Sequence, residues 1–112
     1  MAIKDKLIEC ERLGDIRTDL ATDQLITHLK DTSPLVRISA ARALFYGPKK
    51  AEKALLNALK DQNDDVRINA AASLSSIVSL EASTFHKLIL ALEDACPDVR
   101  VNVANALSRF ME

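Results

Sequence analysis

One phrase occurs three times in this chain: DTSPLVRISAARAL from Asp31, DQNDDVRINAAASL from Asp61 and DACPDVRVNVANAL from Asp94. The copies start 30 and 33 residues apart. A period in that range is the signature of stacked helical units, because one such unit cannot bury its apolar face without a neighbour. The period therefore points to an all-α stack before any single residue is considered. It also bounds the function, since such stacks serve more often as binding surfaces than as catalysts.

Aligning the copies on Val36-Arg37, Val66-Arg67 and Val99-Arg100 brings the flanking residues into columns. Downstream lie Ala40, Ala70 and Val103, then Ala41, Ala71 and Ala104, then Leu44, Leu74 and Leu107. Steps of four, five and eight from the valine trace one face of a helix. Upstream, Leu25, Ile26 and Leu29 recur as Leu55, Leu56 and Leu59, and as Leu88, Ile89 and Leu92. Each unit thus reads as a helix A, a short turn and a helix B. Pro34 and Pro97 suit the first position of helix B, where a missing N–H costs nothing. In the middle copy, Asn63 with Asp64 and Asp65 supplies a side-chain cap and acidic residues at the positive helix end.

A fainter copy precedes these three. Shifting the first full copy back by 33 residues sets Val36-Arg37 on Ile3-Lys4 and Gly47 on Gly14, and both glycines read as helix-ending. The expected helices are 2–13, 23–30, 34–46, 50–60, 64–78, 83–93 and 97–110. The expected organisation is one domain, with an N-terminal half-repeat over 1–21 and repeats over 22–47, 48–80 and 81–112. Two glycines and three prolines in 112 residues fit short helix-to-helix connections.

The repeated phrase D-x-x-x-D-V-R-x-x-A-A-x-x-L resembles HEAT repeats, in particular the short bacterial and archaeal phycobilisome-lyase HEAT-like kind. The resemblance covers residues 22–112, and the whole chain if the half-repeat is included. The first copy departs from it with Leu35 where Asp65 and Asp98 stand. The resemblance implies a right-handed α-solenoid of antiparallel helix pairs, about seven helices in all, with the B helices lining a concave side. It also implies a ladder between repeats, formed by Asp31, Asp61 and Asp94 with Arg37, Arg67 and Arg100.

On a helical wheel, Val36, Ala40, Ala43 and Leu44 form the core stripe, and Ser39, Arg42 and Tyr46 point away from it. The matching positions in the later copies include Asn69, Asn102, Asn105 and Arg109, and Lys6, Glu9 and Leu13 extend the row backward. Ser39, Arg42, Tyr46, Asn69, Asn102, Asn105 and Arg109 are therefore the candidate partner-binding residues. A neutral, polar row suits hydrogen bonding to a peptide or helix of another protein. It is also what any solvated helix face looks like. Ile38, Ile68, Val101 and Phe45 are either an exposed apolar strip or packing between neighbouring B helices. Lys49, Lys50 and Lys53 open a helix, where cations are disfavoured, so an acidic partner could compensate them.

Chemistry is sparse. A formal net charge of −1 argues against a nucleic-acid partner, which calls for a basic excess. Cys10 and Cys96 follow no metal or redox spacing and read as free thiols of a cytoplasmic protein. No apolar run reaches membrane-spanning length, and the N-terminus lacks a signal-like segment. His28 reads as a partly buried structural histidine, and His86 has no partner at metal spacing. Iron-binding HEAT-like enzymes use His-Glu pairs, whereas Leu29 and Lys87 follow the histidines here. No cofactor, metal site or catalytic set is expected. The expected function is a non-catalytic scaffold or adaptor for a protein or peptide. The alternatives are an accessory or chaperone subunit of a pigment-lyase complex and a nucleic-acid-binding module. Weak self-association through the terminal helices is a further expectation.

Overall fold

The computed structural model describes residues 1–111, which contain seven α-helices and no strand. They are α1 (Ile3–Ile16), α2 (Asp19–His28), α3 (Pro34–Ala43), α4 (Glu52–Ala58), α5 (Asp64–Ser76), α6 (Ala82–Ala91) and α7 (Pro97–Ser108). Short 3₁₀ turns, Lys49–Ala51 and Arg109–Met111, precede α4 and follow α7. The B helices α1, α3, α5 and α7 lie side by side in one row. The A helices form a second layer, with α2 on α1 and α3, α4 on α5, and α6 on α7. The stack is a slab of 41 × 28 × 16 Å.

The repeated columns build the space between the layers. Val36, Val66 and Val99 are fully buried, as are Ala40, Ala70 and Val103. Each buried valine contributes about 1.5–3 kcal/mol relative to an exposed one. Alanine at the paired positions 40–41 and 70–71 lets neighbouring B helices approach without side chains between them. Ala41 is fully buried while Ala43 is half-buried, which shifts the core stripe slightly from the wheel's expectation. Polar bonds tie the row as well: the buried Ser73 Oγ donates to the Ala41 carbonyl at 2.6 Å.

Several helix ends differ from expectation, each for a local reason. Helix α2 starts at Asp19 rather than 23 because the Thr18 hydroxyl accepts the Ala21 N–H at 3.1 Å. The expected repeat border at 22 therefore falls inside α2. Gly14 does not end α1. The helix continues to Ile16 and stops at Arg17, which takes the left-handed conformation (φ 58°). Gly14 instead permits close packing, since a Cβ there would lie 3.0 Å from the Ala43 Cβ. Gly47 is not left-handed either; Tyr46 is, at φ 61°. Helix α3 closes early because the Gly47 N–H reaches back to the Leu44 carbonyl at 2.7 Å and Pro48 bars helical geometry just before it.

Glu52 is a charged residue of the interior, 5% exposed. One carboxylate oxygen accepts the Glu81 N–H at 2.9 Å and the Thr84 hydroxyl, so Glu52 caps the start of α6 from the neighbouring repeat. Its other oxygen is buried with no hydrogen-bond partner among the described residues.

Candidate functional site

The candidate residues lie along the B-helix row, which two sets of ties hold together. The first set is at the A-to-B turns. Arg37 holds Asp61 through Nε (2.8 Å) and Nη2 (3.2 Å), and its Nη1 donates to the carbonyls of Asp31 and Thr32. Arg67 repeats this on Asp94 at 2.9 and 3.2 Å, with Nη1 on the carbonyls of Asp61 and Gln62. Each aspartate also accepts an N–H two residues on, from Ser33, Asn63 and Cys96, all at 2.9 Å. This bidentate geometry suits the planar guanidinium.

The ladder begins with Lys6, whose ammonium donates to Asp31 at 2.7 Å. Lys6, Cys10 and Leu13 occupy the roles of Arg37, Ala41 and Leu44, an offset of 31 rather than the expected 33. The expectation that Lys6 and Leu13 extend an open polar row is overturned, because Lys6 is a rung and Leu13 is core. Arg100 also differs from expectation. It donates to the carbonyls of Asp94 and Ala95, and no carboxylate joins it among the described residues.

The rungs set the ionisation of their partners. The Lys6 hydrogen bond, then the Ser33 N–H, hold the Asp31 carboxyl below its ordinary value. Burial pushes the Asp94 carboxyl up, but the bonds from Arg67 and the Cys96 N–H and the charges of Arg67 and Arg100 bring it below the ordinary range. Burial raises the Cys10 thiol to about 11, with Glu9 and Asp31 adding to the effect.

The second set of ties joins the other ends of the B helices. The Tyr46 N–H donates to Ser76 Oγ at 2.8 Å, and Arg109 Nη1 donates to the Ser75 carbonyl at 3.0 Å. The Arg17 guanidinium lies 6.0 Å from the Tyr46 ring centre. Arg109, expected to face a partner, therefore secures the end of α5. Tyr46 stands beyond α3 in a left-handed turn, exposed, with its ring edge-on to Phe45 at 4.5 Å.

The remaining candidates separate into two groups. Ser39 and Arg42 line a groove of about 540 Å³ between α1 and α3. Leu7, Ile8, Gly14, Ala43 and Phe45 supply its apolar surface, and Glu11, Asp15 and Arg17 its other charges. Asn69 is engaged by its own helix, donating to the Asp65 carbonyl at 2.8 Å. The side chains of Asn102 and Asn105 make no hydrogen bond among the described residues, and they lie two helices away from the groove. The row is thus not one continuous site. Ile38 and Ile68 pack against the core, whereas Val101 is 59% exposed.

Elsewhere, Lys49 meets Glu81 at 2.9 Å and Lys50 meets Asp23 at 2.8 Å, so intramolecular acids pair two of the three lysines at the start of α4, and Lys53 has no such pair among the described residues. His28 is partly buried, 3.5 Å from Glu9. Among the described residues, no three His, Cys, Asp or Glu side chains are grouped to hold a metal. No helix among them is long and apolar enough to cross a membrane.

Compared with models of known protein families, residues 22–85 match HEAT repeats, which is more than half of the chain. The chain belongs to the HEAT-repeat family. No curated protein matches it at a significant level. HEAT repeats generally form protein-interaction scaffolds and are typically non-catalytic. In this HEAT-repeat chain, the shared columns are occupied with tying helices together. The groove residues Ser39, Arg42 and Phe45 do not recur in the later repeats. Glu11, Asp15 and Arg17 are groove components that the columns do not single out, because their roles depend on how α1 meets α3.

Proposed function

We propose that this chain is a non-catalytic adaptor that binds an extended or helical segment of another protein in the groove between α1 and α3. The observation that carries this reading is the groove's make-up. A groove that sets apolar side chains among charges of both signs suits a segment of another protein. Arg17 and Arg42 would meet acidic side chains of the segment, and Glu11 and Asp15 basic ones. Phe45 and Tyr46 present exposed aromatic surface at one end, the residue class that most often anchors an interface. Two left-handed non-glycine residues, Arg17 and Tyr46, meet at that end. Such strain persists where the surroundings hold it, and it clusters at binding sites.

The test is affinity capture from native lysate with the parent chain and with an Arg42→Glu, Tyr46→Ala double variant, followed by direct titration of any captured protein. Both substitutions fall on exposed side chains, so the melting midpoint should stay within about 3 °C. The expected result is a partner retained by the parent and bound at least about tenfold more weakly by the variant. Equal affinity for both would place the site elsewhere.

A further inference from the structure

The A layer carries a groove of its own, about 380 Å³ between α4 and α6. Leu56, 8% exposed, and the half-buried Leu59 make its floor. Ala91 and Leu90 stand on its α6 wall, and Leu90 is 76% exposed. The two walls belong to successive repeats, so the groove is internal to the stack. A matching groove of about 450 Å³ runs between α2 and α4.

Two residues of the α6 wall are not needed by the repeat. Leu90 stands in the column of Thr27 and Asn57, and Lys87 in the column of Gln24 and Ala54. Thr27 and Asn57 are exposed, as Leu90 is, so the fold gives a leucine there little burial. The charges along the two grooves are one-sided. Asp61 and Asp94 border them, but Arg37 and Arg67 already hold these carboxylates. Lys50 is paired with Asp23. Among the described residues, the unpaired charges are Lys30, Lys53, Lys60 and Lys87 against Glu93 alone. A chain of net charge −1 thus gathers a local excess of cations on its A layer. Lys87 and Lys60 also bracket Leu90. Lys60 shares the column of Glu93, two turns past Lys87, so the two side chains spring from levels about 9 Å apart along the helices.

We propose that the groove between α4 and α6 docks an acidic amphipathic helix of another protein. A large apolar side chain of that helix would rest on Leu56, Leu59 and Leu90. Carboxylates on either side of it, about two turns apart, would meet Lys87 and Lys60. The ridge of a third helix fits the furrow between two neighbouring ones, and charge complementarity selects an acidic one. The recessed floor argues against an anionic bilayer, whose surface would touch Leu90 without reaching Leu56. This site is separate from the groove between α1 and α3 and does not rest on it.

The probe is a display library of helical peptides selected on the full chain, with the recovered peptides synthesised and titrated by fluorescence anisotropy. The expected peptides carry acidic residues on both sides of a large apolar one. A Lys87→Glu, Leu90→Asn double variant should bind them at least about tenfold more weakly. Both positions are exposed, and asparagine is the residue of the middle repeat in the Leu90 column, so the variant should melt within about 3 °C of the parent. The Arg42→Glu, Tyr46→Ala variant should bind the same peptides as tightly as the parent does, which keeps the two grooves distinguishable. Recovery of no acidic helical peptide overturns the proposal, as does equal binding by the parent and the Lys87→Glu, Leu90→Asn variant. Peptides that instead lose affinity for the Arg42→Glu, Tyr46→Ala variant belong to the other groove and also overturn it. Vesicles of equal parts phosphatidylcholine and phosphatidylserine are the last probe. If they sediment the parent but not the Lys87→Glu, Leu90→Asn variant, the occupant is a bilayer and the proposal falls.

Discussion

Arg67 gathers more polar partners than any other side chain of the ladder: the Asp94 and Asp64 carboxylates and the carbonyls of Asp61 and Gln62. Removing it leaves Asp94, a carboxylate at the base of the turn, without its main cation. Arg67→Ala is expected to destabilise the fold by about 2 kcal/mol, lowering the melting midpoint by about 8 °C. Arg100→Ala, which frees no carboxylate, should cost less than about half of that. Thermal melts of the two variants beside the parent check the ordering. The thiols give a second expectation at this scale. Cys10 is fully buried and its thiol is pushed up to about 11, while Cys96 is half-buried in a turn. Iodoacetamide at about pH 8 should label Cys96 in the native protein and Cys10 only as the chain unfolds, as peptide mass mapping would show. The central rungs were legible only through the resemblance to HEAT repeats, which gives a role to the aspartates and arginines that recur at the repeat period. Lys6 was not, since its register is offset and its side chain is of another type. Arg100 was legible as a column member, but a column does not tell which of its arginines meets a carboxylate among the described residues.

At the scale of elements, all seven helices were legible from periodicity, and the misplaced ends trace to contacts from outside each helix. Thr18 begins α2 early by capping it, and the Gly47–Leu44 bond and Pro48 stop α3 early. Glu52 shows the limit most clearly, because nothing in its own helix indicates that it caps α6. Glu52→Ala should cost about 2 kcal/mol, with hydrogen exchange rising first at the start of α6. Unchanged protection of the Glu81 to Thr84 amides would refute that role. Gly14 governs how α1 meets α3. Alanine there gains about 1 kcal/mol of helix propensity, but the contact with Ala43 is tighter than ordinary packing. Overpacking of this kind costs about 1–3 kcal/mol. Gly14→Ala should therefore be net destabilising, and adding Ala43→Gly should restore part of the loss, measured by urea unfolding. The groove itself was only partly legible. Ser39 and Arg42 lie on a wheel face, whereas its aromatic end depends on the left-handed turn at Tyr46, which no helix period describes.

Across the whole molecule, ionised turn aspartates link each repeat to the one before it, so acid should loosen the stack along its length. Asp31 and Asp94 titrate below their ordinary values in the folded chain. Their contribution is therefore fully present above the unfolded-state pKa of about 3.9. It is lost as pH falls through the lower folded-state values. The part of the melting midpoint that these two groups supply should hold level from about pH 7 to pH 5 and fall below about pH 4. Asp94→Asn should start lower at neutral pH and show a shallower acid limb, which scanning calorimetry across pH would reveal. One further consequence concerns heredity. The 30- and 33-residue spacings meet in rungs of nearly equal length, 2.8 and 2.9 Å. The longer spacing is taken up in the bend after α5, where Val78 is 87% exposed. A copying error that duplicates or trims a unit at the exposed Val78 would leave each arginine facing an aspartate. Such a gene can change length by slippage and still encode a chain whose parts fit.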